Sequence, residues 1–456
     1  MATIGSVVSS ALSSLQANQF GISVTSNNIA NANNLNYSRQ RMVTAPVVDM
    51  LGTSGGLGVQ VLGVEALRDP LIQKRLLQED AARSGADLLN RTLGDIEVFF
   101  SDINGAGLQQ YISDFFTSFQ TLSTDPSSSS FRQLVQTRGE ALAAAFRETR
   151  SNLAQMRNQA NSDATRTVET INSLASQIAQ VSAQIRYAEN TGQANELRDR
   201  RTALARELAA ITEVHELESD GTYQLSIAGN RLLVMESETL PLTTAVDPLT
   251  GLTQIFTGVT NITAEFTTGE LGATLQLRDS YIPGYLTALD DLAYNLVQEV
   301  NTRHSAGYNL LGGTGVNFFT PLASSNQAAS LIAVDPAILA DTRNIAASAD
   351  ADGFGNQTAT AIGNLIFESL GPAGSLLDQY GALVFAVGSD VSASEIAVRE
   401  HEALSTQLEM RRQAMSGVSI DEETVQMLQF QRAYQASAQL LSAVDEMLQA
   451  ILAIGA

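Results

Sequence analysis

Apolar residues recur every seven positions at both ends of this chain, and that spacing governs what the chain can fold into. Val8, Leu15, Ile22 and Ile29 hold one heptad phase, with Ile4 and Ala11 at the interleaved position. Toward the other end Ile420, Met427, Tyr434, Leu441 and Leu448 do the same, and Phe430, Val444 and Ile451 fill most of the second seam position. Such a repeat lies along one side of an α-helix and needs a partner helix to cover it. Asn18 and Thr25 interrupt the first seam, which is therefore narrow. The second helix opens with Ser419-Ile420-Asp421-Glu422-Glu423. Ser419 with Glu422 three residues on reads as a capping box, and the acids fall where the helix dipole favours them.

Burying one stripe of this kind does not offset the conformational entropy lost by ordering a whole helix. Each end is therefore expected to be labile until something covers it. Either the two ends pack only on each other, or they pair and also pack against copies in an assembly. Charge placement favours the second. No Asp, Glu, Lys or Arg occurs from Met1 to Ser38 or from Met447 to Ala456. A helical pair standing alone in water would carry a charged outer face.

The neutral ends contrast with the whole. The chain has 456 residues, 48 acids against 26 bases and a formal net charge of −22. That excludes a nucleic-acid binder, which needs clustered base, and argues against docking on an anionic membrane. Cysteine is absent, so there is no disulfide framework, thiolate metal site or cysteine nucleophile. The start lacks the basic residues and unbroken apolar run of a cleaved signal peptide, and no stretch reaches the ~20 apolar residues of a membrane span.

Between the ends the period changes several times. Residues 42 to 64 alternate around Gly52-Thr53-Ser54-Gly55-Gly56 and predict a β-hairpin or extended loop. Asp69-Pro70 reads as an N-cap followed by a helix of roughly thirty residues. A shorter amphipathic piece spans 106 to 122, and Asp125-Pro126 with Ser127 to Ser130 punctuates it. Helical patterns follow over 131–190 and, after a turn at Thr191-Gly192, over 194–211. From 213 to 268 the period is two: Tyr223, Leu225 and Ile227 alternate, then Leu232, Val234 and Met235 follow the turn Gly229-Asn230. Helix returns near Leu271 and runs past Pro283, where a kink or break is expected, to His304. Residues 305–375 are loop-rich with short helices such as 359–370, and 392–415 and 421–452 are helical.

The expected fold is therefore mainly α with a small β domain. Residues 1–40 and 416–456 form a terminal helical core of paired, coiled-coil-like helices. Residues 41–212 and 271–415 form a discontinuous helical middle domain, and 213–270 an inserted outer β domain.

No constellation for catalysis or metal binding stands out. His401-Glu402 begins like a zinc-protease motif, but the second histidine position holds Ser405. Asp350-Ala351-Asp352-Gly353 resembles part of a calcium loop, yet the bidentate position is Ala359. His215 and His304 have no companion ligands in sequence. No cofactor is expected.

The ends carry a further pattern. Ser26-Asn27-Asn28-Ile29-Ala30-Asn31-Ala32, closing at Tyr37-Ser38-Arg39-Gln40 and followed by Gly55-Gly56-Leu57-Gly58-Val59 and Arg68-Asp69-Pro70, resembles the N-terminal signature of bacterial flagellar rod, hook and hook-associated proteins. Ser416-Gly417-Val418-Ser419-Ile420-Asp421-Glu422-Glu423, then Gln429-Phe430-Gln431-Arg432-Ala433-Tyr434-Gln435-Ala436-Ser437-Ala438, resembles the matching C-terminal signature. Asn27, Asn28, Asn31, Tyr37, Arg39, Asp421 and Glu422 carry the motif. The combination of Tyr-Ser-Arg-Gln with Ser-Gly-Val-x-Ile-Asp-Glu-Glu is most like the hook–filament junction members. One departure is Asn34-Leu35-Asn36, where the family has Thr-Pro-Gly; Asn36 can take the left-handed conformation that glycine supplies.

The resemblance implies a non-enzymatic, self-assembling structural adaptor that joins hook to filament. Its terminal helices would line a ring or tube of identical subunits. Its partners would be the hook protein, the second junction protein (hook-associated protein 3) and an export chaperone on the C-terminal helix, with neither nucleic acid nor membrane. It would be secreted without a cleaved signal peptide and reside at the hook–filament junction. The core contacts would be Val8, Leu15, Ile22 and Ile29 with Ile420, Met427, Tyr434, Leu441 and Leu448. Two alternatives stand beside it: another axial protein, hook or distal rod, and a secreted enzyme on an axial scaffold with residues 213 to 350 as its active part. Tyr37 to Gln40 with Asp421 to Glu423 count against the first, and the absence of a metalloprotease motif against the second.

Overall fold

The structure is a computed structural model and describes residues 4–47, 58–101, 107–189, 194–219, 221–371 and 374–454. The Gly52–Gly56 and Thr191-Gly192 turns lie outside the described residues. Helix α1 (Ile4–Ala30) leads into a hairpin of β1 (Gln40–Pro46) and β2 (Val59–Ala66), paired antiparallel from Gln40 opposite Ala66 to Pro46 opposite Val59. Gly58 has φ +100°, and a Cβ there would fall 2.1 Å from Ser13 Oγ, so the hairpin rests directly on α1.

Four helices follow: α2 (Pro70–Phe100), α3 (Leu108–Thr124), α4 (Ser129–Glu189) and α5 (Asn195–Ile211). Asp69 caps α2 as its sequence predicts, accepting from the Leu71 and Ile72 amides at 2.8 and 3.2 Å with proline in the first turn. The 61 residues of α4 span the length of two cores.

The next seven strands form two small antiparallel sheets. One runs β3 (Val214–Ser219), β4 (Thr222–Ile227), β5 (Arg231–Met235), β6 (Glu238–Thr239); the other runs β7 (Leu242–Val246), β8 (Thr253–Thr257), β9 (Thr260–Asn261). Tyr223, Leu225 and Ile227 face inward on β4 as the alternation requires. On β5 the buried pair is Leu233 and Val234, whereas Leu232 is half-buried and Met235 exposed. A register shift between Leu225 and Ser226 breaks the simple alternation there. The buried faces of β3, β4, β5, β7 and β8 share one core with α5, α6 (Gly269–Gln276) and the C-terminal half of α4.

Helix α6 passes through a π-helical turn, Leu277–Tyr281, into α7 (Ile282–Ala306). The irregularity expected from Pro283 is thus this turn; the proline cannot donate within the run, and the Arg278 carbonyl accepts instead from Arg157 Nε at 3.0 Å. Short elements follow: β10 (Tyr308–Asn309), α8 (Ala328–Leu331), α9 (Pro336–Ala340), β11 (Ala346–Ser348) and α10 (Gln357–Asn364). Two long helices close the chain, α11 (Leu376–Ser416) and α12 (Ile420–Ile454). Helix α11 starts sixteen residues before the expected 392. Its opening signal is Ser375-x-x-Asp378, a reciprocal capping box in which Ser375 Oγ accepts from the Asp378 amide at 3.1 Å and Asp378 accepts from the Ser375 amide at 2.9 Å. Gly381 and Gly388 weaken the helical pattern in between.

The second core gathers α3, α7, α10, the first half of α4 and the start of α11 around Phe115, Phe116, Phe119, Phe318 and Phe319, whose rings meet at centroid distances of 4.9–5.4 Å. His304 lies among them, fully buried. Its Nε2 accepts from the Ala346 amide at 2.9 Å, so its Nδ1 carries the proton and donates to the Val316 carbonyl at 2.8 Å. Burial lowers its pKa from 6.5 to about 4. The unfolded chain then binds this proton more readily, so the stability is intact above pH 6.5 and falls as pH drops toward 4. Equilibrium urea unfolding should lose roughly 2 kcal/mol between pH 7 and pH 5 through this group. His304→Phe should be less stable at pH 7 and show a flatter pH dependence; an unchanged slope would refute the assignment.

Candidate functional site at the paired termini

Helices α1 and α12 pack antiparallel in a regular register. Asn28 meets Glu423, Gly21 meets Phe430 and Ser14 meets Ser437, so each contact steps seven residues along one helix and seven back along the other. A Cβ at Gly21 would come within 2.9 Å of the Phe430 ring, and the two serine oxygens are 2.8 Å apart. Small residues of α1, namely Ala11, Ala17 and Gly21, are buried and let α12 approach closely.

The sequence-predicted seam residues fall beside this line. Val8, Leu15, Ile22 and Ile29 are each one position past the α1 contact phase and are half-buried. Met427 and Leu441 are half-buried, while Ile420, Tyr434 and Leu448 are exposed at 51, 40 and 38%. Glu423 and Val444, on the second seam phase of α12, are the buried ones. Val8, Leu441 and Val444 line one groove between the helices. The pair also leaves Leu12 and Phe20 of α1, and Val425, Leu428, Leu440 and Met447 of α12, in solvent.

At one end of the pair, four consecutive residues reach four different elements. Tyr37 Oη donates to Asn28 Oδ1 on α1 at 2.8 Å. Ser38 donates through its amide and hydroxyl to Asp199 on α5 at 3.1 and 2.7 Å. Arg39 bonds Glu423 through Nε at 2.7 Å and Glu422 through Nη1 at 2.9 Å, both on α12, and its amide donates to the Ser416 carbonyl closing α11. Gln40 opens β1 and exchanges both backbone groups with the Asn28 side chain, at 3.0 and 2.8 Å.

Asn28 thereby uses all its capacity: Nδ2 donates to Gln40 O and Glu423 Oε2, and Oδ1 accepts from Tyr37 and the Gln40 amide. Glu423 is fully buried, and Arg39 and Asn28 satisfy one oxygen each. A carboxylate taken out of water must be paired and hydrogen-bonded, and this one is both. Burial, then the carboxylates of Asp199, Glu196 and Glu423, push the Tyr37 phenol well above its ordinary pKa, which keeps it a donor.

Of the motif residues, the structure brings Asn28, Tyr37, Arg39 and Glu422 together. Asn31 instead bonds Asn27 at 3.0 Å within the end of α1, and Asp421 is exposed. Two local expectations change. The Ser419 oxygen lies 3.5 Å from the Glu422 amide, too long for a sound bond, and the Glu422 carboxylate turns to Arg39, so no capping box closes here. Asn36 is not left-handed; Asn34 closes the turn by accepting from the Asn36 and Tyr37 amides at 3.1 and 3.0 Å. Glu423 lay within the recognisable acid run. Asp199, 161 residues from its partner Ser38, gave no local signal.

Known proteins resemble this chain over most of its length. The model described as flagellar hook-associated protein FlgK helical domain matches residues 93–319, and that of the flagellar basal body rod FlgEFG protein C-terminal matches 412–454. The chain is 28% identical to flagellar hook-associated protein 1 of Bacillus subtilis over 96% of each chain, and 26% identical to that of Escherichia coli over 99% of this chain and 100% of the other. The Salmonella typhimurium protein of the same name is 30% identical over 71% of this chain and 61% of its own. The solved flagellar hook junction protein FlgK from Burkholderia pseudomallei superposes with a TM-score of 0.67 at 16% identity, covering 75% of this chain and all of that one, which shows a shared fold.

The register can be checked directly because the chain has no cysteine. Ser14→Cys with Ser437→Cys should oxidise readily to an intrachain disulfide, seen as a gel shift. Ser14→Cys with Ser442→Cys should do so poorly. Equal yields would refute the antiparallel register. Glu423→Ala should lower the first yield, since it strands Arg39 and Asn28 without their buried acceptor, at a cost of about 3 kcal/mol.

Proposed function

Since this chain belongs to the flagellar hook-associated protein 1 family and is a structural adaptor joining hook to filament in the bacterial flagellum, we propose that α1 and α12 do the joining. The observation that carries this is the unfinished surface of the pair. Its seam is packed and its register fixed, yet apolar side chains remain in solvent on both helices. Exposed apolar surface on a charge-poor helical pair calls for a further protein surface. Identical subunits supply it when α12 of one packs beside α1 of the next, giving a ring or tube.

Val8, Leu15, Ile22 and Ile29, half-buried in one chain, flank the intrachain contact and serve this second contact together with Ile420, Tyr434 and Leu448. Met427 and Leu441 bridge the two. The hook protein then meets one rim of the assembly and hook-associated protein 3 the other. Before assembly the C-terminal helix needs cover, and an export chaperone provides it. The chain works outside the cell, in the flagellum. We read its role as structural rather than catalytic, in keeping with the flagellar structural proteins it resembles.

The stretch 376–451 includes a window apolar enough for a membrane span, with 17% of it buried. Within it Asp390 accepts from Tyr285 Oη at 2.6 Å, and Leu383 and Val387 pack into the aromatic core, which favours a protein contact over lipid.

Two measurements test the proposal. Deleting 421–456 should leave cells with hooks and no attached filaments by electron microscopy; normal filaments would refute it. The free chain should show less helix by circular dichroism than the structure contains, short by up to the 27 and 35 residues of α1 and α12. A fully helical, protease-resistant monomer would refute the dependence of the ends on assembly.

A further inference from the structure

We infer that Asp199 is a positioning residue: it holds the Tyr37–Gln40 segment on the folded body before α1 and α12 pair. The inference rests on the terminal pair being the joining element, and it adds an order of events. The bonds of this segment divide into two sets. One set reaches only the body. Both Asp199 oxygens are occupied, Oδ2 by the Ser38 amide and Oδ1 by the Ser38 hydroxyl and by Arg68 Nη2 at 2.8 Å. Arg68 also donates to Ser38 Oγ at 3.2 Å and to the Asn195 carbonyl at 3.0 Å. Asn195 in turn donates to the Val64 carbonyl at 2.9 Å, and the Leu67 amide to the Arg39 carbonyl at 2.8 Å, so the base of the hairpin is tied to the start of α5. The other set, from Tyr37, Arg39 and Gln40 to Asn28, Glu422 and Glu423, exists only when the terminal helices are in place.

The body set does not depend on those helices. Helix α5 is anchored by Leu204, Ala205 and Leu208 in the core it shares with α4 and the sheets. Asp199 is 7% exposed and Ser38 7%, so water competes little for these bonds. With Ser38 held, the next residue, Arg39, has its amide on the Ser416 carbonyl and its guanidinium placed for Glu423. A helix pair with a seven-residue repeat can slip by one heptad with little change in apolar contact. Glu423 on α12 and Asn28 on α1 are polar partners that only one register delivers to Arg39, and a single buried polar contact is the best-attested device for fixing such a choice. Asp199 sets where that contact waits.

Hydrogen exchange of the full free chain tests this. The Ser38 amide should be protected in the parent and exchange about tenfold faster or more in Asp199→Ala. Glu423→Gln should leave Ser38 protection unchanged, and Asp199→Asn, which keeps an acceptor but not the ion pair with Arg68, should fall between. An unprotected Ser38 in the parent, or equal exchange in Asp199→Ala, overturns the inference. If exchange also quickens at Leu204 to Leu208, α5 itself has loosened, and Arg68→Met then gives the same test from the other side of the clamp. None of these readouts involves the flagellum. Failure of the adaptor reading would appear as normal filament attachment in the α12 deletion and would leave the exchange result standing.

Discussion

A carboxylate with no access to water sits at the centre of this molecule's architecture. Glu423 could not be buried ionised without a cation and a second donor, and Arg39 and Asn28 supply them from the opposite end of the chain. That requirement brings the first forty residues and the last forty to one place. It also fixes which turn of α12 faces which turn of α1, because moving either helix by a heptad would strand the charge. The apolar seam alone has no such preference. The geometry of the terminal pair therefore descends from a polar contact, while the apolar contacts supply contact area.

The body behind it is built to hold that contact still. Helix α4 runs through both cores, so the aromatic cluster around Phe115 and the sheet packed on α5 are mounted on one rod. Helix α2 lies along α11, and α11 ends at Ser416, whose carbonyl receives the Arg39 amide. Asp199 comes from α5, which packs along the same rod. The hub at Tyr37–Gln40 is thus where the hairpin, α5, α11 and α12 all terminate a bond, and small shifts in any of them are resisted by the others.

Much of this was legible in the residues. Heptad spacing located both terminal helices, Asp69-Pro70 located the start of α2 to the residue, and the alternation Tyr223, Leu225, Ile227 identified an inward strand face. On α1 the phase of Val8, Leu15, Ile22 and Ile29 lies one residue past the intrachain contact, because hydropathy marks large apolar residues. The close intrachain contact is instead made by Ser14, Gly21 and Asn28, whose value is smallness or hydrogen bonding. A capping box was expected at Ser419, yet Glu422 had a stronger partner in Arg39 than its own helix terminus. No local pattern could join Asp199 to Ser38, since that bond depends on where a long crossover returns. The start of α11 was hidden by Gly381 and Gly388, although Ser375 and Asp378 carried the signal.

Those differences bear on why the charge of −22 avoids the two ends. If α1 and α12 were merely a hairpin, the large residues would face inward and the outer surface would carry the acids. The structure has the opposite distribution: glycine, alanine, serine and asparagine of α1 line the intrachain contact, and the bulky apolar residues stay at its margins. A charged margin would tax every further contact between subunits with desolvation, and a like-charged one with repulsion. Apart from Asp421, Glu422, Glu423, Asp445 and Glu446 on α12, the acid belongs to the body, and none falls on α1 or in the last ten residues. The one charge buried in the contact between the two ends, Glu423, is neutralised inside its own chain by Arg39.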